Sequence, residues 1–170
     1  MLPHRSTPSH NADGHAAAPL ALVRCYLGAA SEVLEAETGQ PVAASPLHLE
    51  RSSYTSEDVT AMIGVSGRIA GSFYLSMDNA TALRLVSRML GQPVRSLGEL
   101  AQSGVAELAN VIAGSASVRL AEQGYPTSIA PPLLLVGAGA LLSSVEIRRL
   151  VATLETSCGR IGVHIALREG

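Results

Sequence analysis

The chain has no tryptophan, and aromatic residues make up only 3% of it. A core without large rings must be assembled from alanine, leucine, valine and isoleucine. The 47% apolar content supplies enough of them for a folded globule. Basic charge is not in excess: 12 basic residues stand against 14 acidic ones, a net charge of −2. No basic cluster or long run of one sign is visible, which argues against nucleic acid and, more weakly, against any acidic polymer as partner. Cysteine is scarce. Cys25 and Cys158 lie far apart in apolar-patterned segments. A disulfide stays open, but two cysteines without a framework are more often buried free thiols in a reducing compartment. No Cys/His spacing matches a zinc site. No uninterrupted apolar run approaches a membrane helix, and the first residues lack the basic start and apolar run of a signal peptide. These absences make the cytoplasm the expected location, with no membrane and no nucleic acid as partner.

At 170 residues the length fits one domain with a real core. Met1 to about Ala17 holds Pro3, Pro8, His4, His10 and His15 among Ser, Asn and Gly. It reads as a disordered N-terminal tail or cloning remnant over 1–17, with the domain over 18–170. The uneven histidine spacing argues against a metal site there.

The rest of the chain alternates between helix and strand patterns. Leu20 to Glu37 reads as a helix on the stripe Leu20, Val23, Leu27 and Leu34, closed by Gly39 and Pro41. Leu47 to Tyr54 alternates loosely, as a strand would. Val59–Val65 and Ile69–Met77 alternate better, with a hairpin signal at Ser66-Gly67. In the second, Ile69, Phe73, Leu75 and Met77 point one way, and Ser72, Tyr74 and Ser76 the other. Asp78 caps a helix with Leu83, Val86 and Met89 inward, ending at Gly91 before Pro93. A long helix follows from about Leu97 to Gln123. Leu133 to Val136 is a short strand, and Leu150–Thr156 with Ile161–Leu167 forms a closing hairpin. Ser66-Gly67-Arg68-Ile69 recurs as Cys158-Gly159-Arg160-Ile161. That recurrence is compatible with internal duplication, and equally with ordinary glycine-turn chemistry.

The long helix carries the pattern that points to function. Ser103, Glu107 and Asn110 are spaced i, i+4, i+7, which stacks them on one helical face. Val105, Leu108 and Ile112 fall on the opposite side, flanked by Leu97 and Leu120. Gly114, Ser117 and Ala121 continue the first stripe. Asparagine is a poor helix former, so Asn110 in mid-helix needs a reason. Small residues beside it clear space for a partner. The chain holds no Ser-His-Asp, Cys-His or paired-carboxylate arrangement that competes. His48 and His164 are lone histidines on strand-like segments. Gly137-Ala-Gly139 lacks the further glycine and lysine of a phosphate loop.

Glu107-Leu-Ala-Asn110-Val-Ile-Ala-Gly114, a Gly124 loop, then Ile129-Ala-Pro131-Pro132 and Gly137 together resemble the CheX/CheC family of chemotaxis phosphatases. The family signature is a Ser or Asp, a Glu four positions on, an Asn three further and a Pro a little over twenty later. Ser103, Glu107, Asn110 and Pro131-Pro132 stand in that order. The resemblance extends to Gly64-Val-Ser-Gly67-Arg-Ile-Ala-Gly71-Ser and the helix from Ala80 to Leu90, and covers roughly residues 18 to 168. With one Glu-x-x-Asn site and no second copy in the first helix, the chain is more similar to CheX than to CheC.

The resemblance implies an α/β fold of α+β topology: a single CheC-like domain, a largely antiparallel sheet packed with long helices, with weak internal duplication. It implies dephosphorylation of a phosphorylated CheY-like receiver domain, an aspartyl-phosphate hydrolysis in chemotaxis or related two-component signalling. Glu107 and Asn110 would be the catalytic pair, with Ser103, Gly114, Ser117, Pro131 and Pro132 meeting the partner. No cofactor or metal of its own is expected, since Mg2+ would sit in the receiver. A homodimer is expected, joined through sheet edges or through helices away from the motif, and the final strand with its free end is the expected pairing edge. The alternative is a non-catalytic adaptor binding a receiver or a flagellar switch component through the same face. An exposed Asn110 beside Glu107 separates the enzyme from the adaptor.

Overall fold

A computed structural model describes residues 19–50, 53–143 and 147–170. The expected tail over 1–17, with its histidines, lies outside them. Helix α1 spans Leu20–Thr38 and buries Leu22, Val23, Tyr26, Ala29, Ala30 and Leu34. It ends at Gly39, whose φ of 65° favours glycine and whose N–H returns to Glu35 O. Three short strands follow: β1 at Ala43–Ala44, β2 at His48–Glu50 and β3 at Ser53–Thr55. The single strand expected from Leu47 to Tyr54 is therefore two pieces with different partners, since β2 and β3 belong to different sheets. Next come β4 (Val59–Gly67) and β5 (Ile69–Met77), the predicted hairpin.

Helix α2 covers Asn79–Leu90. The Asp78 carboxylate accepts the Thr81 N–H at 2.7 Å, and Gly91 closes the helix at φ 64°. Its inward side is Ala82, Leu85 and Val86 rather than Leu83, Val86 and Met89; Leu83 and Met89 are only half-buried. Helix α3 spans Glu99–Glu122. The chain then runs through β6 (Thr127–Ile129), β7 (Leu133–Val136), β8 (Leu141–Ser143), β9 (Arg149–Thr156) and β10 (Gly159–Glu169).

The main sheet is antiparallel, in the order β1-β9-β10-β5-β4-β6, with β2 also on β9 and β7 also on β4. One face carries Ala61 and Ile63 of β4, Phe73 and Leu75 of β5, and Ile161, Val163 and Ile165 of β10. These pack with Leu34 of α1, Leu85 of α2, and Val105, Leu108 and Ile112 of α3 in one apolar cluster. Each fully buried aliphatic side chain contributes about 2 kcal/mol, so alanine, leucine, valine and isoleucine build the core without tryptophan. The other face is also covered. Tyr74, Ser76, His164 and Ala166 point there and are buried. Part of the cover comes from Tyr54 of the small β3–β8 sheet, which stacks on His164 and meets Tyr74 edge-on.

The final strand is not a free edge. β10 pairs with β5 on one side and β9 on the other. Its residues alternate between two covered faces, so it belongs in the middle of the sheet. Among the described residues the open edges are β1/β2 and β6/β7. The two hairpins meet through their second strands, β5 and β10. Gly67 and Gly159, the glycines of the repeated Gly-Arg pairs, both sit at positive φ, 127° and 134°.

Candidate functional site

The face of α3 turned away from the core holds the motif. Val105, Leu108, Ala109, Ile112 and Ala116 are buried, while Ser103 and Glu107 are exposed and Asn110 is half-buried. The predicted i, i+4, i+7 stack is therefore present on a single unbroken helix. None of the three side chains is engaged in a hydrogen bond or ion pair with another described residue. Asn110 thus keeps both a donor and an acceptor on one planar group, and neither titrates.

Asn110 and Ser117, seven residues apart, share one flank of the helix. Ser117, two turns further along the same stripe, places its hydroxyl 3.1 Å from Thr127 O and 2.9 Å from Thr127 Oγ1. That contact ties α3 to β6, so Ser117 is directed at the chain's own edge strand and only half-exposed. After Gly124 the chain turns back along α3, and α3 packs against both β6 and β7. Pro131-Pro132 lies in the link between these two strands.

The proline pair has a structural consequence of its own. Ala130 N–H reaches Gly64 O at 2.9 Å, and pairing with β4 resumes at Met62↔Leu133. Ile63 and Gly64 on β4 thus face Ala130, Pro131 and Pro132, one residue more. Proline has no N–H to give the ladder, so it fits a bulge on an edge strand. Pro131 is exposed and Pro132 half-buried. Gly114 is half-exposed, and a Cβ there would meet nothing within 4 Å.

Composition alone did not single out Leu100, Val111 and Val118. They are 53%, 44% and 60% exposed on the same side of α3. With Glu107 they run at i, i+7, i+11, i+18, a spacing that keeps one helical face. Apolar residues therefore occupy both sides of α3, which hides the outer stripe from a periodicity reading.

The remaining titratable groups sit elsewhere. On the covered sheet face, Arg149 is 1% exposed, donates to Glu50 Oε2 at 2.6 Å and lies 4.2 Å from the Tyr54 ring centre. Burial and the Arg149 charge push His164 down to about 4. Its Nε2 pairs with Ser76 Oγ at 3.0 Å. This group is separated from the α3 motif by the sheet. Cys25 and Cys158 are buried free thiols, and burial raises Cys25. Among the described residues no three His, Cys, Asp or Glu side chains gather as a metal site. None of the described helices is long and apolar enough to cross a membrane.

Fold and site together define a CheC-like α+β domain that presents an unengaged Glu-x-x-Asn helix face, without a nucleophile–base pair there. The comparisons specify the class further. The profile of the family described as "Chemotaxis phosphatase CheX" matches residues 59–155. The CheY-P phosphatase CheX of Thermotoga maritima is 30% identical over 138 residues, covering 81% of this chain and 85% of that one. Among solved structures, the chemotaxis protein CheX of Desulfovibrio desulfuricans superposes with a TM-score of 0.78 at 22% identity, over 88% of this chain and 99% of that one. The matched chain of the CheX-CheY-BeF3-Mg2+ complex from Borrelia burgdorferi gives a TM-score of 0.69 at 22% identity, over 87% and 98%. The chain belongs to the CheX family.

Proposed function

We propose that this protein dephosphorylates a phosphorylated CheY-like receiver domain by hydrolysing its aspartyl phosphate, in chemotaxis or related two-component signalling. The observation that carries the reading is the Asn110 carboxamide, half-exposed and unengaged, one turn from an exposed Glu107. Family membership and the Thermotoga relative support the same activity.

The chemistry asks little of this chain beyond position. The receiver supplies the phosphoryl group and a bound Mg2+, which neutralises charge on the phosphoryl oxygens. Asn110 holds a water in line with the phosphorus, its oxygen accepting from that water and its amide donating nearby. The water oxygen forms the new P–O bond, the bond to the aspartyl carboxylate breaks, and the protons leave with inorganic phosphate. Glu107 grips a receiver lysine by a charge-assisted bond and fixes the register. Ser103, exposed one turn below Glu107, and Pro131-Pro132, between β6 and β7, meet the receiver's rim. The reaction belongs in the cytoplasm, with the receiver.

The protein acts as a homodimer joined through an open sheet edge. Leu49 on β2, and Leu133 and Val136 on β7, are 51%, 60% and 45% exposed, which leaves apolar edge surface for a second copy. Light scattering at micromolar concentration tests this, and a monomer mass counts against it.

The activity test mixes the protein with phosphorylated candidate receivers and follows phosphate release. Faster loss than the receiver's own rate supports the enzyme. Binding without acceleration supports the adaptor reading in its place.

A further inference from the structure

Helix α3 has two interior glycines away from its ends, and the fold explains only one. A Cβ on Gly104 would lie 2.8 Å from Val86 Cγ1, so α2 closes that position. A Cβ on Gly114 would meet nothing within 4 Å. Gly114 is also absent from the residues with positive φ, so its backbone conformation does not demand glycine. Glycine weakens a helix interior relative to alanine. Among the described residues no neighbour packs close enough to require it.

Its neighbours share this character. Val111 and Val118 are 44% and 60% exposed, one turn to either side of Gly114 on the same face. Valine is stiff at χ1 and a poorer helix former than the residues an exposed face ordinarily carries. Three residues that weaken the helix thus stand together on its solvent side, next to Asn110. Two aliphatic knobs flank one notch.

The geometry points to this ridge and notch as the apolar grip on the receiver, with Val111, Gly114 and Val118 setting which receivers dock. An aliphatic side chain of the receiver enters over Gly114, between the two valines. The inference rests on the function proposed above and deepens it. The occupant follows from distance. Along a helix, Val118 is about 12 Å from Asn110. An interface of about 800 Å2 per partner reaches well beyond that span. A receiver surface centred on Asn110, where the phosphoaspartate must arrive, therefore also lies over this ridge.

The test compares the parent with Val111→Ser, Val118→Ser, Gly114→Ala and Asn110→Ala. Steady-state dephosphorylation and equilibrium binding to a beryllofluoride-activated receiver are measured, with melting temperatures alongside. Each valine change is expected to raise KM and Kd about tenfold, the scale of one buried aliphatic contact, with kcat nearly unchanged. Gly114→Ala is expected to raise the melting temperature and weaken binding together, a pairing that a purely structural role does not produce. If the valine variants match the parent in KM and Kd while Asn110→Ala is inactive, the ridge is not part of docking and the proposed function stands. If they alter self-association and leave receiver binding unchanged, the occupant is a second copy and the inference is overturned. If the parent neither binds nor dephosphorylates any receiver, both readings fall.

Discussion

Tyr54 lies flat against His164, with ring centroids 4.5 Å apart and planes 16° from parallel. Arg149, Glu50, His48, Tyr74 and Ser76 share that sheet face, so His164 is held neutral beneath an aromatic lid. Its folded pKa is about 4, below the ordinary 6.5. The unfolded chain therefore takes up the proton first as pH falls. The contribution to stability is whole above the unfolded value and is lost progressively down to the folded one, amounting to about 3 kcal/mol. Burial raises Glu50, but its bonds to His48 and Arg149 outweigh that and lower it, so its share is lost at more acid pH. Denaturant melts between pH 7 and 4 are expected to show falling stability, with a shallower slope in His164→Gln. An unchanged slope in the variant would assign the loss to other groups.

The helices and hairpins were legible because their signals are local. Asp78 caps α2, and Gly39 and Gly91 close α1 and α2 in the left-handed conformation, as their positions in sequence imply. The place of β10 was not legible. Its central position depends on β5 and β9, which meet it only after folding, and an alternating strand at the chain's end reads equally well as an edge. The burial of His164 depends likewise on Tyr54, far away in sequence. At the site, the stack of Ser103, Glu107 and Asn110 was set by spacing alone. The Ser117–Thr127 contact was not, because it requires the antiparallel return of β6 along α3. Val111 and Val118 were in plain view, but apolar residues on a helix are first assigned to the core.

Two glycine-to-alanine changes should have opposite signs. Gly71 adopts φ 145°, and a Cβ there would fall 2.0 Å from Ala166 O across the β5–β10 pair. The backbone itself is the obstacle, so Gly71→Ala is expected to cost more than about 3 kcal/mol or to prevent folding. Gly114→Ala gains helix propensity without a clash and is expected to stabilise by up to about 1 kcal/mol. Thermal melts of the two variants read both signs.

Ser117 tests whether its stripe position or its hydrogen bonds decide its role. Removing the hydroxyl breaks the contacts with Thr127 that fasten α3 to β6. Ser117→Ala is expected to lose about 1 kcal/mol of stability while leaving the Kd for a phosphorylated receiver within about twofold. A large rise in Kd with an unchanged melting temperature would instead make Ser117 a partner contact.

Asn110 and Glu107 should fail in different ways. Asn110 is assigned to the transition state, where it orients water. Its loss should lower kcat much more than it weakens binding. Glu107 is assigned to the grip on a receiver lysine, so Glu107→Ala should raise KM as well as reduce the rate. Glu107 is exposed and Asn110 half-buried, neither bonded to another described residue, so both variants should keep their stability within about 0.5 kcal/mol. Asn110→Ala can gain slightly, because alanine is the better helix former. Stopped-flow or radiolabel assays on a phosphorylated receiver, with melting temperatures alongside, separate the two effects from unfolding. An Asn110→Ala protein that dephosphorylates as fast as the parent removes the catalytic reading and leaves a receiver-binding adaptor.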